Sequence, residues 1–378
     1  MLVQADRMLH DDGTLAPGWV RLDGELIADV GRGDAPGAPD VLVSVLSPGL
    51  VDVHCHGGGG GSFATTDPAE ARLALDAHRR HGTTTTIASL VTAPHEVLLA
   101  QVAFLAALTE AGEIAGTHLE GPWLSPAFCG AHDPALLEAP LAERTDPLIA
   151  AGRGTVRMVT LAPELEGGIE AVRRLTAQGV QAAVGHTDAD ETVVADAVEA
   201  GSRMVTHLFN AMRPIHHRAP GPVPTVLDDP RVTVELVADG AHVHPLVLDL
   251  ASRAAAGGFV LVTDAIAAAL APDGQYLLGE LEVIVTDGVP RLASNGSIAG
   301  STLTLHRAVQ VMVDAGCSLE RALVAATATP ADVFDLGGPG GPGGVGRLTP
   351  GLRADLLALT DDLAVTAVMR AGTWLRTP

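Results

Sequence analysis

The sequence of 378 residues contains no lysine, so all 23 of its basic residues are arginines. This absence excludes a Schiff-base lysine, the lysine of a Walker A nucleotide loop and a carboxylated lysine that bridges two metal ions. The 45 acidic residues give a net charge of −22, whereas a nucleic acid or an anionic membrane would require a basic face. We therefore expect neither partner, and an anionic substrate would have to be held by a few locally placed arginines or histidines.

Cysteines, aromatic residues and long apolar runs are also scarce. The three scattered cysteines, Cys55, Cys129 and Cys317, are too few for a disulfide framework and suit a reducing compartment. No apolar run reaches the roughly 18 residues needed to cross a bilayer, and the acidic start does not resemble a signal peptide. These features predict a soluble, cytoplasmic protein. Its core must be built mainly from Ala, Val and Leu, because aromatic residues make up only 3% of the chain.

From residue 50 onward, apolar runs of strand length alternate with stretches of helical length. Eight strands are predicted, at 50–54, 83–89, 114–120, 156–161, 180–186, 204–207, 232–238 and 259–264. Helices are predicted between most of them, at 68–81, 94–111, 134–150, 168–178, 188–200 and 244–256. This alternation predicts an α/β fold, a (β/α)8 TIM-type barrel. Periodicity alone leaves a doubly wound open sheet as the alternative.

The two ends of the chain differ from its middle because they are rich in short strands. Strand-like stretches occur at 2–9, 19–30, 355–359 and 365–369. A linker of glycine and proline, residues 337–344, precedes the last two. We therefore expect residues 1–48 and 337–378 to form one small β-sandwich domain. Residues 49–336 are expected to form the barrel.

Six of the eight predicted strands end in a histidine, a glutamate or an aspartate after largely apolar bodies. These residues are His54 and His56 (strand one), Glu120 (three), His186 (five), His207 (six), Asp239 and His242 (seven) and Asp264 (eight). A TIM-type barrel keeps its chemistry at the carboxyl ends of its strands. We therefore expect these side chains to meet at one mouth of the barrel, since 15 histidines placed at random would not line up in this way.

The residue types at this mouth indicate a metal site. Side chains at i and i+2 of a strand point the same way, so His54 and His56 can share one cation. Cys55 should point away from them, which disfavours a thiolate ligand. Neutral imidazoles with a carboxylate are the ligands of Zn²⁺ or Fe²⁺ at a hydrolytic site. The sequence thus predicts a divalent metal, with Zn²⁺ favoured over Fe²⁺ or another divalent ion.

Several motifs together resemble one family. They are LSPGLVDVHCHG at 46–57, HLEGPWL at 118–124, GHT at 185–187, THLFNAM at 206–212, VADGAHVHP at 237–245, VTDA at 262–265 and SIAGSTLT at 297–304. In this order they resemble the N-acetylglucosamine-6-phosphate deacetylases of the amidohydrolase superfamily. The likeness extends to GRLTPGLRADLLAL at 346–359 and so covers nearly the whole chain. Many superfamily members bridge two metals with a carboxylated lysine, whereas these deacetylases use a glutamate after strand three, the place of Glu120.

The resemblance implies a role for each residue of the mouth. Glu120, His186 and His207 match the main metal site of the family, and His54 and His56 match a pair that can hold a second metal. The implied content is one or two divalent ions per subunit. Asp264 matches the catalytic aspartate, which accepts a proton from water as general base and then protonates the departing amine.

The resemblance also implies a substrate site. His132 matches the histidine that contacts the sugar and polarises the acetyl carbonyl, and Arg218 and His242 match positions that hold the 6-phosphate. An arginine fork suits phosphate oxygens, although His216, His217 or His244 are open alternatives for this contact. A homodimer is implied, since neighbouring subunits can complete the phosphate end. The remaining implied substrate contacts are Ala131, Asn210, Ala211 and Ile298.

The expected reaction is metal-dependent hydrolysis of N-acetyl-D-glucosamine 6-phosphate to D-glucosamine 6-phosphate and acetate, in amino-sugar catabolism. A deacetylase for the galactosamine epimer or for other N-acetylated sugar phosphates is the nearest alternative. A barrel that had lost catalysis and served as a scaffold would lack ligands, yet all are present. A different hydrolase of the superfamily, such as a deaminase, would have no use for the Arg218 phosphate clamp.

Overall fold

The computed structural model describes residues 1–338 and 344–378, so most of the predicted 337–344 linker lies outside the described residues. The strands that precede the barrel are β1 (Leu2–Leu9), β2 (Leu15–Asp23), β3 (Leu26–Arg32) and β4 (Val41–Pro48). The next strands are β5 (Leu50–Cys55), β6 (Gly57–Gly58), β7 (Gly61–Ser62), β8 (Thr83–Leu90), β9 (Gly116–Glu120), β10 (Val156–Leu161), β11 (Gln181–Val184), β12 (Met204–Val205), β13 (Thr233–Val237) and β14 (Phe259–Val262). The last are β15 (Gly274–Leu278), β16 (Leu281–Thr286), β17 (Val289–Leu292), β18 (Leu356–Leu359), β19 (Val365–Arg370) and β20 (Thr373–Arg376).

Helices lie between most of the strands in the middle of the chain. They are α1 (Pro68–Arg79), α2 (His95–Glu110), α3 (Ala142–Ala151), α4 (Gly168–Ala177), α5 (Glu191–Ala200), α6 (Pro222–Asp228), α7 (Pro245–Ala254), α8 (Leu305–Asp314), α9 (Leu319–Ala325) and α10 (Ala328–Val333). Local sequence fixes where several begin. Asp67 accepts a hydrogen bond from the N–H of Ala69 ahead of α1, and Asp190 caps α5 in the same way. In the described ranges 1–338 and 344–378, no helix is long and apolar enough to span a bilayer.

Eight parallel strands form the central sheet, in the order β5, β8, β9, β10, β11, β12, β13, β14. The sheet closes on itself, because Cys55, the last residue of β5, forms a parallel bridge with Ala265, which follows β14. The strand bodies are buried on both faces, and all eight residues of β8 are buried. The predicted (β/α)8 barrel is therefore confirmed, and the open sheet is excluded.

Strands from both ends of the chain share a second sheet of seven strands, in the order β20, β19, β18, β4, β1, β2, β3. Strand β4 is the junction, since it pairs in parallel with β1 and antiparallel with β18. Buried side chains from both ends, including Val3, Leu46, Leu356 and Met369, form one apolar cluster against this sheet. The small β domain from both termini agrees with the prediction, while its boundaries after residues 48 and 336 stay a prediction.

The helical prediction was wrong in detail at two places. The helix predicted at 134–150 is a short 3₁₀ turn at Pro134–Leu136 followed by α3, because Pro140 between them cannot donate a backbone hydrogen bond. No helix was predicted between strands six and seven, yet α6 lies there. It is only seven residues long and contains two prolines, so its apolar periodicity is too short to detect.

Candidate metal centre and substrate pocket

A cavity of about 310 Å³ opens at the carboxyl ends of the barrel strands. Every site residue predicted from the sequence lines it except His54 and Arg218. The predicted residues at its wall are His56, Glu120, Ala131, His132, His186, His207, Asn210, Ala211, His242, Asp264 and Ile298. The remaining wall residues include Val91, Gly130, Leu278 and Gly300. The sequence therefore located this mouth correctly, although the role of each residue there stays a prediction.

The strand ends turn sharply to point their side chains into this cavity. Strands β11, β12 and β14 end earlier than predicted, and the functional residues that follow have left-handed backbone angles. The φ angles are 49° at His186, 27° at His207 and 49° at Asp264. Such angles are uncommon outside glycine and cost about 1–3 kcal/mol each. The surrounding barrel stabilises this strained backbone where the chemistry is expected.

Glu120, the last residue of β9, lies at the centre of the histidine cluster. Its Oε1 is 3.1 Å from Nε2 of His186 and 2.9 Å from Nε2 of His207. Its Oε2 is 3.1 Å from Nε2 of His56 and 3.4 Å from Nε2 of His54. One buried carboxylate therefore faces two pairs of imidazoles, one pair at each oxygen.

Each imidazole pair is tight enough to share one ion. The two Nε2 atoms are 3.0 Å apart in the His54–His56 pair and 2.9 Å apart in the His186–His207 pair. Asp264 stands beside the first pair, with Oδ1 3.3 Å from Nε2 of His56. The ligands of a tetrahedral zinc at 2.0–2.1 Å lie about 3.3 Å from one another. His54, His56, Glu120 and Asp264 lie close enough together to hold a metal ion, and Glu120, His132 and His186 form a second such group.

Hydrogen bonding on the far side of the rings supports this assignment. Nδ1 of His54 is 2.9 Å from Oε2 of Glu235, and Nδ1 of His186 is 3.1 Å from the carbonyl oxygen of Phe128. Because both oxygens are acceptors, each Nδ1 carries a proton, and in the neutral ring this leaves the lone pair on Nε2. These lone pairs face the acceptor oxygens of Glu120. A cation between the Nε2 atoms and the Glu120 oxygens would bind the lone pairs of both, so these ligand atoms fit a divalent metal.

Asp264 and His132 flank the imidazole pairs on opposite sides. Burial raises the pKa of Asp264, but the neighbouring His54 and His56 lower it more, so the pKa lies below its usual range and the carboxylate is ionised. Burial, reinforced by His186, lowers the pKa of His132 to about 3, which keeps this ring neutral. The site thus places an anionic carboxylate and a neutral imidazole around one space.

The tautomer of His132 is fixed by Thr92. The backbone N–H of Thr92 donates to Nδ1 of His132 across 3.3 Å, and the Thr92 hydroxyl lies 2.8 Å from the same atom. Nδ1 is therefore an acceptor, and the ring proton is on Nε2. This Nε2 points into the cavity, 3.8 Å from Oε2 of Glu120. His132 can thus donate a hydrogen bond to a bound oxygen.

The two residues expected at the phosphate occupy different surroundings. Nδ1 of His242 lies 2.6 Å from Oδ2 of Asp239. Burial lowers the pKa of His242, but this carboxylate raises it more, so the net shift favours the cationic ring. Arg218 is exposed in the 213–219 loop, outside the cavity wall, and its backbone N–H donates to Nδ1 of His216. The structure therefore brings His242 to the cavity and leaves Arg218 outside its wall.

Two fully buried acids near the cluster were missed by the sequence prediction. Asp52 in β5 and Glu235 in β13 are both 0% exposed. Each interrupts an apolar strand, LVDVH and TVELV, and was treated as part of the strand body. A charge in the middle of an otherwise apolar barrel strand was the signal, because it must find partners in the barrel interior.

A model of the amidohydrolase family matches residues 45–375. The chain belongs to the amidohydrolase family. Among curated relatives, the N-acetylglucosamine-6-phosphate deacetylase of Homo sapiens is 36% identical and covers 98% of this chain and 93% of its own. The N-acetylgalactosamine-6-phosphate deacetylase of Escherichia coli O157:H7 is 35% identical, with 98% of each chain covered.

Solved structures of amidohydrolases agree with this relationship. A variant of the N-acetyl-D-glucosamine-6-phosphate deacetylase of Mycobacterium smegmatis, in complex with N-acetyl-D-glucosamine-6-phosphate, is 44% identical to this amidohydrolase. Its TM-score is 0.95, with 100% of this chain and 99% of that chain covered. The corresponding Thermotoga maritima enzyme has a TM-score of 0.89 at 29% identity, with both chains fully covered. The resemblance inferred from the motifs is confirmed over the whole chain.

Proposed function

We propose that this amidohydrolase is a metal-dependent deacetylase that hydrolyses N-acetyl-D-glucosamine 6-phosphate to D-glucosamine 6-phosphate and acetate. The observation that supports this most directly is Glu120, which contacts both imidazole pairs at the barrel mouth beside Asp264. The full-length relatives are deacetylases of amino-sugar phosphates, which supports the same substrate class. The proposed setting is amino-sugar catabolism in the cytoplasm.

The proposed metal sites use the two imidazole pairs, with Glu120 shared between them. His186 and His207 with Glu120 form one site, and His54 and His56 with Glu120 form the other. We propose Zn²⁺ as the physiological ion, at one or two per subunit, with Fe²⁺ as the alternative. A divalent cation at such a position supplies Lewis-acid chemistry and a nucleophilic water at neutral pH.

Asp264 is the proposed proton carrier of the reaction. Its lowered pKa keeps it ionised, so it can accept a proton from the attacking water as the carbon–oxygen bond forms. It then gives that proton to the amide nitrogen as the carbon–nitrogen bond breaks, and the products are acetate and the free amine. One residue in both roles suits an amide, whose amine leaves poorly unless it is protonated.

His132 is the proposed donor to the acetyl carbonyl oxygen. Its Nε2–H points into the cavity and the ring is neutral at physiological pH. A hydrogen bond from Nε2 to the carbonyl oxygen stabilises negative charge as it develops there. Ile298, which also lines the cavity, is proposed to pack against the acetyl methyl group.

The sugar phosphate is proposed to lie toward His242 and the 210–218 segment. Asp239 raises the pKa of His242, which favours its cationic form, and Ala131, Asn210 and Ala211 line the same cavity. Arg218 is proposed to complete the phosphate site from the exposed loop. Because Arg218 does not line the cavity wall, we propose that a homodimer brings this cation to the phosphate.

The proposal is tested by acetate release from N-acetylglucosamine 6-phosphate by protein whose bound Zn²⁺ has been counted. Stripping the metal with a chelator should abolish release, and adding Zn²⁺ back should restore it. N-acetylgalactosamine 6-phosphate should be tested in the same assay, because the E. coli relative at 35% identity is an N-acetylgalactosamine-6-phosphate deacetylase. Faster release from the galactosamine compound would change the assigned sugar, and no release from either would refute the deacetylase proposal.

A further inference from the structure

Glu235 in β13 contacts both imidazole pairs, as Glu120 does, but away from the Nε2 atoms that face Glu120. Its Oε2 accepts a hydrogen bond from Nδ1–H of His54 at 2.9 Å. The same oxygen accepts the backbone N–H of His207 at 3.1 Å. His54 belongs to one imidazole pair and His207 to the other, so a single oxygen touches both pairs.

Among the residues that the structure describes, His54 is the one ionisable partner of the Glu235 carboxylate. The side chain is 0% exposed, and its Oε1 has no hydrogen-bond partner among the residues that the structure describes. A buried carboxylate is costly unless positive charge lies close by. His54 links Glu235 to the proposed metal position, since the ring carries its Nδ1 proton toward Glu235 and its Nε2 lone pair toward Glu120.

We infer that Glu235 is a positioning residue that holds His54 as a metal ligand and couples the two proposed metal positions through the His207 backbone. A carboxylate on Nδ1–H fixes the ring tautomer and makes Nε2 a stronger ligand. The hydrogen bond from the His207 backbone N–H to Glu235 holds the left-handed backbone of His207 and so positions its ring in the other imidazole pair. This inference rests on the proposed metal-dependent function.

The test compares the full-length wild type with Glu235→Gln, His54→Ala and the double variant, each depleted of metal and reloaded with Zn²⁺. Elemental analysis gives the metal content, and competition with a chromophoric chelator gives the affinity of each site. Glutamine keeps the size and one carbonyl acceptor but removes the charge. We expect Glu235→Gln to weaken Zn²⁺ binding at the His54 position by about 10–100-fold, with a smaller loss at the His186–His207 position.

The double variant separates a positioning role from a general structural one. If Glu235 acts through His54, Glu235→Gln should weaken Zn²⁺ binding strongly in the protein that retains His54. In the His54→Ala background, the same substitution should weaken Zn²⁺ binding at the His186–His207 position far less. A full additional loss would overturn the inference. Glu282→Gln, at an exposed position of β16, is the matched control and should leave both affinities unchanged.

Four further outcomes also decide the question. Zn²⁺ binding that is undiminished in Glu235→Gln overturns this inference and leaves the proposed function standing, whereas a wild type that binds no Zn²⁺ overturns both. Glu235→Asp keeps the charge with a shorter reach, so its affinity should lie between those of the wild type and Glu235→Gln. If both variants unfold the metal-free protein, as judged by circular dichroism, the role of Glu235 is structural and the inference is wrong.

Discussion

The backbone N–H of Asp264 donates a 2.8 Å hydrogen bond to the carbonyl oxygen of His54. The first and last strands of the barrel therefore meet at the residues proposed for metal binding and proton transfer. Asp52, two residues before His54 in β5, stabilises this closure. Its Oδ1 accepts the backbone N–H groups of His54 and Thr263, and its Oδ2 accepts the Thr263 hydroxyl at 2.6 Å. The contacts that close the barrel thus also position the residues proposed for metal binding and proton transfer.

Asp52→Ala should destabilise the protein strongly. The change leaves buried N–H groups of His54 and Thr263 without acceptors, at a cost of about 1–3 kcal/mol for each. Asp52→Asn retains an oxygen for those groups and should cost less. Thermal denaturation of the metal-free proteins, followed by circular dichroism, measures the order of stability. A wild-type melting temperature for Asp52→Ala would show that the closure does not depend on this carboxylate.

The barrel and the residues at its mouth were predictable from the sequence because apolar strands alternate with helices, and a polar residue follows several of these strands. Most strand bodies are apolar, and His186 and Asp264 stood out because each follows such a body. The exact strand ends were not predictable, because His186, His207 and Asp264 leave their strands through left-handed backbone angles that depend on tertiary contacts.

The partners of the site residues were less visible than the residues themselves. Thr92 lies 40 positions from His132, and Glu235 lies 181 positions from His54. No local spacing connects such pairs, since only the closure of the barrel brings them together. Arg218 shows the reverse case: the family resemblance implied its role, but the structure leaves it exposed in a loop outside the cavity wall.

Asp264→Asn should lower the rate of acetate release by about 10²–10⁴-fold, the usual contribution of a general acid–base residue. The amide has nearly the same size as the carboxylate but cannot accept and return the proton. Metal content and substrate affinity should stay close to those of the wild type, which elemental analysis and calorimetry with the substrate would show. Normal turnover in this variant would remove Asp264 from the mechanism.

Thr92→Val should reduce kcat by about 10-fold with little change in KM. The variant loses the hydroxyl that lies 2.8 Å from Nδ1 of His132, while the backbone N–H remains. The neutral ring can then adopt the other tautomer in part of the population, which withdraws the Nε2–H donor from the carbonyl oxygen. Thr109→Val, in which the lost hydroxyl contacts only the Leu105 carbonyl of α2, is the matched control. Equal effects of the two substitutions would argue against a role for the His132 tautomer.

Arg218→Ala should raise KM for the phosphorylated substrate by about 10-fold or more, because charge-assisted contacts to phosphate contribute about 1.5–3 kcal/mol. Its effect on the unphosphorylated sugar should be small, since the loop does not line the cavity that would hold the acetyl group. The assay is acetate release from both compounds, with the molecular mass in solution measured for each variant. If the clamp is completed across a homodimer, conditions that dissociate the dimer should raise KM of the wild type toward that of the variant. An equal loss of activity on both sugars would show that Arg218 stabilises the loop and does not recognise the phosphate.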